Sequence, residues 1–181
     1  MLGAIWSTFK KIWDMIGFAV IIFLILTCLN TFVFINAFIP STSMTPTVNM
    51  HDRVIGYRLA YRDSGPQRYD VVIFKYPDNN DLLYIKRVIG LPGDEIDIVD
   101  GQVFVNGEAT DESFCSVRGE TGPGTMTFPV TVPKNSYFVL GDNRKNSEDS
   151  RYWNDHFVER DELVAKVLFR YWPFTDTKIV R

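Results

Sequence analysis

No charged residue occurs between Asp14 and Asp52, and the run from Met15 to Ile35 is apolar apart from Thr27, Asn30 and Thr31. A helix needs about 20 apolar residues to cross the hydrocarbon core of a bilayer, so the run predicts a transmembrane helix over 15–36. A cleaved secretory leader would have an apolar region of only about 7 to 15 residues, followed by a small-x-small site. This run is longer and ends in the bulky Phe34, Ile35, Phe38 and Ile39. Lys10 and Lys11 precede it, and the first base beyond it is Arg53. The excess of positive charge on the near flank puts 1–14 in the cytoplasm and 37–181 on the extracytoplasmic side of the cell membrane.

The 181 residues leave room for one domain with a sizeable core after such an anchor. The formal net charge is −3, and Lys10 and Lys11 lie before the apolar run, so the domain itself is acidic. It offers no electrostatic reason to expect nucleic acid as a partner. Cys28 lies in the apolar run and Cys115 far along the domain, which predicts no disulfide between them. Neither His51 nor His156 has a second His or Cys at ligand spacing, so no metal or other cofactor is expected.

Beyond residue 40 no helical pattern exceeds two turns, and there is no internal repeat. Arg53–Tyr57, Tyr69–Tyr76, Leu82–Ile89, Glu95–Val99, Gln102–Val105, Tyr137–Leu140 and Leu163–Tyr171 have strand composition. Arg62–Arg68 and Pro77–Asp81 read as turns, Leu91-Pro92-Gly93-Asp94 ends a strand, and Asp100-Gly101 is a favoured two-residue hairpin turn. Residues 108–127 read as a loop inside a small excursion spanning about 95–136. The fold expected is mainly β, a folded-over sheet or partial barrel after one helix.

Three stretches can carry chemistry. Pro40-Ser41-Thr42-Ser43-Met44-Thr45-Pro46-Thr47 holds two hydroxyls in a segment stiffened by prolines. Such a segment can supply a nucleophile with a neighbouring donor, but taken alone it reads first as an ordinary linker turn. Lys86 stands in an apolar strand beside Tyr84, Ile85, Val88 and Ile89. If desolvated, its pKa falls and it can act as a neutral base for a serine. Alternatively it snorkels to solvent, with Arg87 doing the same on the other face; alternation does not decide, because both faces carry apolar residues. Gly141 to Arg151 packs Asp142, Arg144, Ser147, Glu148, Asp149, Ser150 and Arg151 together. This is either a solvated loop with surface ion pairs or a bracing loop with a serine to orient the lysine. Its spacing does not suit a calcium loop. A Ser-x-x-Lys pattern is absent, and for a histidine triad His51 is awkwardly close to Ser43, leaving only His156.

Taken together and in this order, these stretches resemble the type I signal peptidases. That family carries Ser-x-Ser-Met-x-Pro-Thr, matched by Ser41 to Thr47; Tyr-Ile-Lys-Arg-x-x-Gly-x-Pro-Gly-Asp, matched by Tyr84 to Asp94; and Gly-Asp-Asn-Arg-x-Asn-Ser-x-Asp-Ser-Arg, matched by Gly141 to Arg151. Asp70-Val71-Val72-Ile73-Phe74 is similar to the family's intervening strand, and the match spans roughly 37–171. The resemblance implies a serine endopeptidase, anchored in the bilayer, that cleaves exported preproteins after a small-x-small site. It implies Ser43 as nucleophile, Lys86 as general base, Ser41 as oxyanion donor with the Ser43 N–H, and Ser147 as the group that orients Lys86. Asp142, Arg144, Asp149 and Arg151 would brace the site, and Ile39, Val54, Ile73, Tyr84 and Ile85 would line shallow substrate pockets. The implied fold is the β-rich one shared with self-cleaving repressor proteases. The segment from Asp94 to Tyr137 is short beside that of larger members, and the cysteine pair of some members is absent. A binding module that kept the fold without the chemistry would lack Ser43 or Lys86. A self-cleaving regulator would carry a DNA-binding region and no anchor.

Overall fold

A computed structural model describes residues 2–180, with the backbone alone for 2–5, 7–9 and 12. The chain divides into two compact units between Phe34 and Ile35. The first is one helix, α1 (Leu2–Cys28), continued by a π-helical turn, Leu29–Val33. The stretch Trp13–Val33 is long and apolar enough to cross a membrane. Helix thus begins well before the apolar run and stops short of its end, since Phe34–Phe38 is a strand, β1. The aromatic and β-branched residues Phe32 to Ile35, following the polar pair Asn30-Thr31, favour extended backbone there.

The second unit is mainly β, as the strand composition predicts. Its remaining strands are β2 (Arg53–Tyr57), β3 (Val71–Tyr76), β4 (Asn79–Gly90), β5 (Glu95–Val99), β6 (Gln102–Val105), β7 (Glu108–Ala109), β8 (Val130–Thr131), β9 (Ser136–Leu140), β10 (Val158–Glu159), β11 (Leu163–Trp172) and β12 (Lys178–Ile179). One sheet runs β1-β2-β11-β3-β4-β9-β10, with β12 on β11. A second runs β7-β6-β5-β8. The short β8, β10 and β12 have no composition signal of their own. The predicted turn Pro77–Asp81 is shorter than expected: Tyr76 pairs with Asn79, so Asn79 to Asp81 open β4 instead. These residues are exposed, and an exposed strand end tolerates polar side chains.

β4 is the strand that positions the site. It pairs with β3 along Val71↔Arg87, Val72↔Lys86 and Ile73↔Ile85, and with β9 along Arg87↔Leu140 and Val88↔Val139. From Ile85 to Gly90 every residue is buried, on both faces. Ile85 joins a core cluster with Ile39, Met44, Val54, Ile73 and Val167. Val88 joins another with Val72, Phe74, Val139 and Trp153, and Ile89 a third with Ile96, Val103, Phe138 and Leu140. Each fully buried aliphatic side chain contributes about 1.5–3 kcal/mol relative to exposure, so this half of β4 is held firmly. Two-sided burial is also why alternation could not orient Lys86.

Candidate active site

The serine stretch forms a turned segment anchored by its apolar members. Thr45 N–H donates to Thr42 O at 3.1 Å and Val48 N–H to Met44 O at 2.9 Å. Met44 and Val48 are fully buried in the cluster that contains Ile39 and Ile85. Ser43 is thereby held inward, 5% exposed, while Ser41 stays exposed with its Oγ 3.3 Å from Ser43 Oγ.

Lys86, 4% exposed, reaches Ser43: its Nζ donates to Ser43 Oγ at 2.8 Å. Burial pushes the Lys86 ammonium down to about 8; Asp149, Asp142 and Glu148 pull it part of the way back, and Arg151 pushes it down. With a pKa of about 8, about one amine in ten is neutral at pH 7, against about one in 2,500 for a free lysine. The Tyr84 ring lies 5.5 Å from the Lys86 amine. Lys86 therefore does not snorkel, and neither does Arg87, which is fully buried. Arg87 Nε and Nη2 grip the Asp142 carboxylate at 2.8 and 2.7 Å, and Nη2 also donates to Thr47 Oγ1 at 3.1 Å. One guanidinium thus ties β4 to the serine turn and to the loop after β9.

That loop leaves β9 beside Lys86, because Arg87 pairs with Leu140. Asn143 N–H donates to Ser43 O at 3.0 Å, and Asn143 Nδ2 to Thr42 O at 3.2 Å. Asp149 accepts from Arg151 Nε at 2.8 Å and Nη2 at 2.9 Å, and from Gly141 N–H at 2.9 Å, closing the loop on itself. These groups are buried, so the loop is not the solvated surface loop of the alternative reading. Asp142 and Arg144 are both buried but not paired with each other: Asp142 holds Arg87, and Arg144 holds Glu112 at 2.7 Å.

Ser41, Ser43, Tyr84, Ile85, Lys86 and Ser147 line a cleft of about 650 Å³, together with Pro40, Leu83, Lys145, Asn146, Glu148 and Tyr152. Ser147 is buried in that lining, but its Oγ makes no hydrogen bond, so the bond to Lys86 is not formed in this structure. Of the expected pocket residues, Tyr84 and Ile85 face the cleft. Ile39, Val54 and Ile73 lie in the core cluster that includes Ile85, behind the lining rather than on it.

His156 Nδ1 lies 2.8 Å from the Ser150 carbonyl, to which it donates, and His51 stacks on Phe38 with ring centres 5.9 Å apart. Cys28 and Cys115 are both free. Burial pushes the Cys115 thiol up to about 11, away from nucleophilic use. Four supporting residues were not foreseen: Arg87, Thr47, Glu112 and Thr121. An arginine inside an apolar strand is itself a sign of a buried carboxylate partner, and that sign was present for Arg87. Glu112 sits in a Gly/Ser/Thr/Glu-rich stretch that carries no such sign.

The family model described as signal peptidase, peptidase S26, matches residues 12–172. Among similar proteins, signal peptidase IB of Staphylococcus aureus is 34% identical over 183 residues, covering 93% of this chain and 94% of that protein. Signal peptidase I of Leptolyngbya laminosa is 36% identical, covering 80% of this chain and 72% of that protein. The protein named "Probable signal peptidase I-2" of Synechocystis sp. is 42% identical, covering 80% of this chain and 66% of that protein. A crystal structure of a signal peptidase I from Enterococcus faecalis is 32% identical, covering 56% of this chain and 95% of that one, with a TM-score of 0.47. Motifs, extent of match and similarity to relatives covered over most of their length agree: the chain belongs to the signal peptidase family, peptidase S26, as a type I signal peptidase.

Proposed function

We propose that the protein is a membrane-anchored serine endopeptidase that removes signal peptides from exported preproteins, with Ser43 as nucleophile and neutral Lys86 as general base. The observation that carries this reading is the 2.8 Å contact between Lys86 Nζ and Ser43 Oγ, both side chains being buried.

In the reaction, Ser43 Oγ attacks the scissile carbonyl carbon while its proton passes to Lys86. The carbonyl π electrons move to oxygen, and the oxyanion is held by the Ser41 hydroxyl and the Ser43 N–H. Lys86 ammonium then protonates the leaving amine as the C–N bond breaks, leaving an acyl-enzyme on Ser43. Lys86, neutral again, takes a proton from water, which attacks the ester, and returns it to Ser43 Oγ as the signal peptide departs with a free carboxylate. In the complex with substrate, Ser147 Oγ, which is unpartnered in this structure, accepts from the amine and keeps its lone pair on Ser43. The pairs Arg87–Asp142 and Arg151–Asp149, with Arg144, hold the two loops in register.

The substrate chain lies extended along β4. β9 pairs with β4 from Arg87 onward, so among the described residues no strand covers the cleft-side edge of Leu83 to Lys86. Such an edge takes up a peptide by main-chain hydrogen bonds and leaves side-chain choice to pockets. Tyr84 and Ile85 form the pocket surface, with Ile39, Val54 and Ile73 fixing its depth from behind. This selects small residues at the −1 and −3 positions. The apolar stretch within Trp13–Val33 crosses the bilayer from Met15 onward, with 1–14 in the cytoplasm and the domain from residue 37 outside, where exported chains emerge.

The test incubates the detergent-solubilised protein with a secretory precursor, beside the same protein carrying Ser43→Ala. Cleavage at the small-x-small site by the first and none by the second is expected, and Phe in place of Ala at −1 should abolish it. Equal cleavage by the two proteins overturns the mechanism, and equal rates for Ala and Phe at −1 overturn the pocket assignment.

A further inference from the structure

Ser147 Oγ has no hydrogen-bond partner among the described residues, so its place in the cleft is set by the backbone that carries it. That backbone is the turn Arg144–Asn146, and its first side chain is a buried guanidinium, 2% exposed. Arg144 Nε donates to Gly141 O at 3.1 Å, closing the turn from within. Arg144 Nη1 points outward and donates to Glu112 Oε1 at 2.7 Å and to Thr121 Oγ1 at 2.8 Å. Glu112 is 5% exposed and lies outside every motif, in the segment between β7 and β8. Its second oxygen accepts the Gly119 N–H at 3.3 Å. The same segment touches the loop elsewhere: Ser116 N–H donates to Asp142 O at 3.1 Å, and Thr125 N–H to Arg151 O at 3.0 Å.

A buried ion pair adds little net stability over a well-packed apolar pair; its best-attested use is to select one geometry. Here the geometry selected is that of the turn that ends at Ser147. We propose that Glu112 is a positioning residue for peptide-bond hydrolysis, acting through Arg144 to fix the turn that places Ser147 in the cleft wall with Lys86. The small excursion is then part of the catalytic apparatus, not an ornament on the domain. This inference rests on the reading of Ser43 and Lys86 as the reacting pair.

The test is a double-mutant cycle on the full-length protein in detergent, with kcat and KM measured well below the melting temperature of every variant. Glu112→Gln keeps the shape and removes the charge; it should lower kcat about tenfold to a hundredfold with KM nearly unchanged. Because Glu112 acts through Ser147, Glu112→Gln combined with Ser147→Ala should cost no more than Ser147→Ala alone. Thr121→Val opens the same clamp without leaving an unpaired guanidinium, and should repeat the pattern more weakly if Glu112→Gln does not fold. A folded clamp variant with unchanged kcat, a multiplicative loss in the double variant, or full activity in Ser147→Ala overturns the proposal. Ser43→Ala and Lys86→Met are assayed alongside: if either stays active, it is the underlying reading that fails, whatever the clamp variants do.

Discussion

Lys86 Nζ meets Ser43 Oγ at 2.8 Å although 43 residues separate them in the chain. The contact is built from two anchored pieces. Ser43 precedes the fully buried Met44, and Lys86 lies in the half of β4 that is buried on both faces. Arg87, next to Lys86, then pins the Thr47 hydroxyl and Asp142 together. The lysine is desolvated by the same packing that delivers it to the serine, so placement and pKa have one cause.

Replacing the amine should therefore end catalysis without ending the fold. Lys86→Met keeps most of the volume, and the loss in kcat/KM should be at least about 10²- to 10⁴-fold. Lys86→Arg should be as inactive, because a guanidinium does not release its proton in this range. Circular dichroism should show both variants folded. An active Lys86→Arg protein would shift attention to another base.

The pH profile tests the charge environment. The acid limb of kcat/KM should fall near the Lys86 pKa of about 8. Glu148 lines the cleft and raises that pKa, so Glu148→Gln should move the limb to lower pH. Glu148 is exposed, so added salt should screen its charge and shrink the displacement. A limb that does not move when Glu148 is neutralised would exclude its charge as an influence on the base.

The local β structure is legible in the sequence. The hairpin Glu95–Val99, Asp100-Gly101, Gln102–Val105 follows from local turn chemistry and appears with the expected bounds. The long-range pairings do not follow from local pattern. Nothing near Asp142 indicates that its partner is Arg87 rather than Arg144, since the choice is made by the β4–β9 register. Short strands such as β8 and β10 exist only because a neighbour offers an edge, as Val158 does to Tyr137. Lys86 and Ser43 stand out as residues, yet what desolvates the lysine is the packing of three clusters around β4.

Gly141 is required by close approach. A Cβ there would collide with the Ser147 side chain and the Ser43 carbonyl oxygen. The carbonyl belongs to backbone that Asn143 also holds, so it cannot step aside without moving Ser43. Gly141→Ala should lose about a hundredfold or more in kcat while the domain remains folded. Wild-type rates in this variant would mean that the Ser43–Ser147 spacing does not matter to catalysis.

Orientation in the bilayer is tested by access. With Lys10 and Lys11 as the near flank of the apolar stretch, a protease added outside intact cells should digest the domain from residue 37 onward. Protection until the membrane is broken would reverse the topology and leave the cleft on the wrong side for exported chains.

The depressed Lys86 pKa also predicts how stability depends on pH. In the unfolded chain this lysine titrates near 10.5, and in the fold at about 8. Below about pH 8 both states hold the proton, and the full cost of burying the ammonium is present. Between the two values the folded protein has released the proton while the unfolded chain keeps it. The unfolded state then binds more protons, and stability rises with pH. The gain should total about 3 kcal/mol, the free-energy equivalent of the pKa difference. Lys86→Met carries no such titration and should be flat in this term, as well as more stable than the parent below pH 8. Denaturant titrations of both proteins at pH 7 and pH 10 check this directly, since the difference between them cancels every other group that ionises over the range. A gap between parent and variant that is the same at both pH values would mean that Lys86 keeps its ordinary pKa in the fold, and the neutral-base mechanism would lose its physical support.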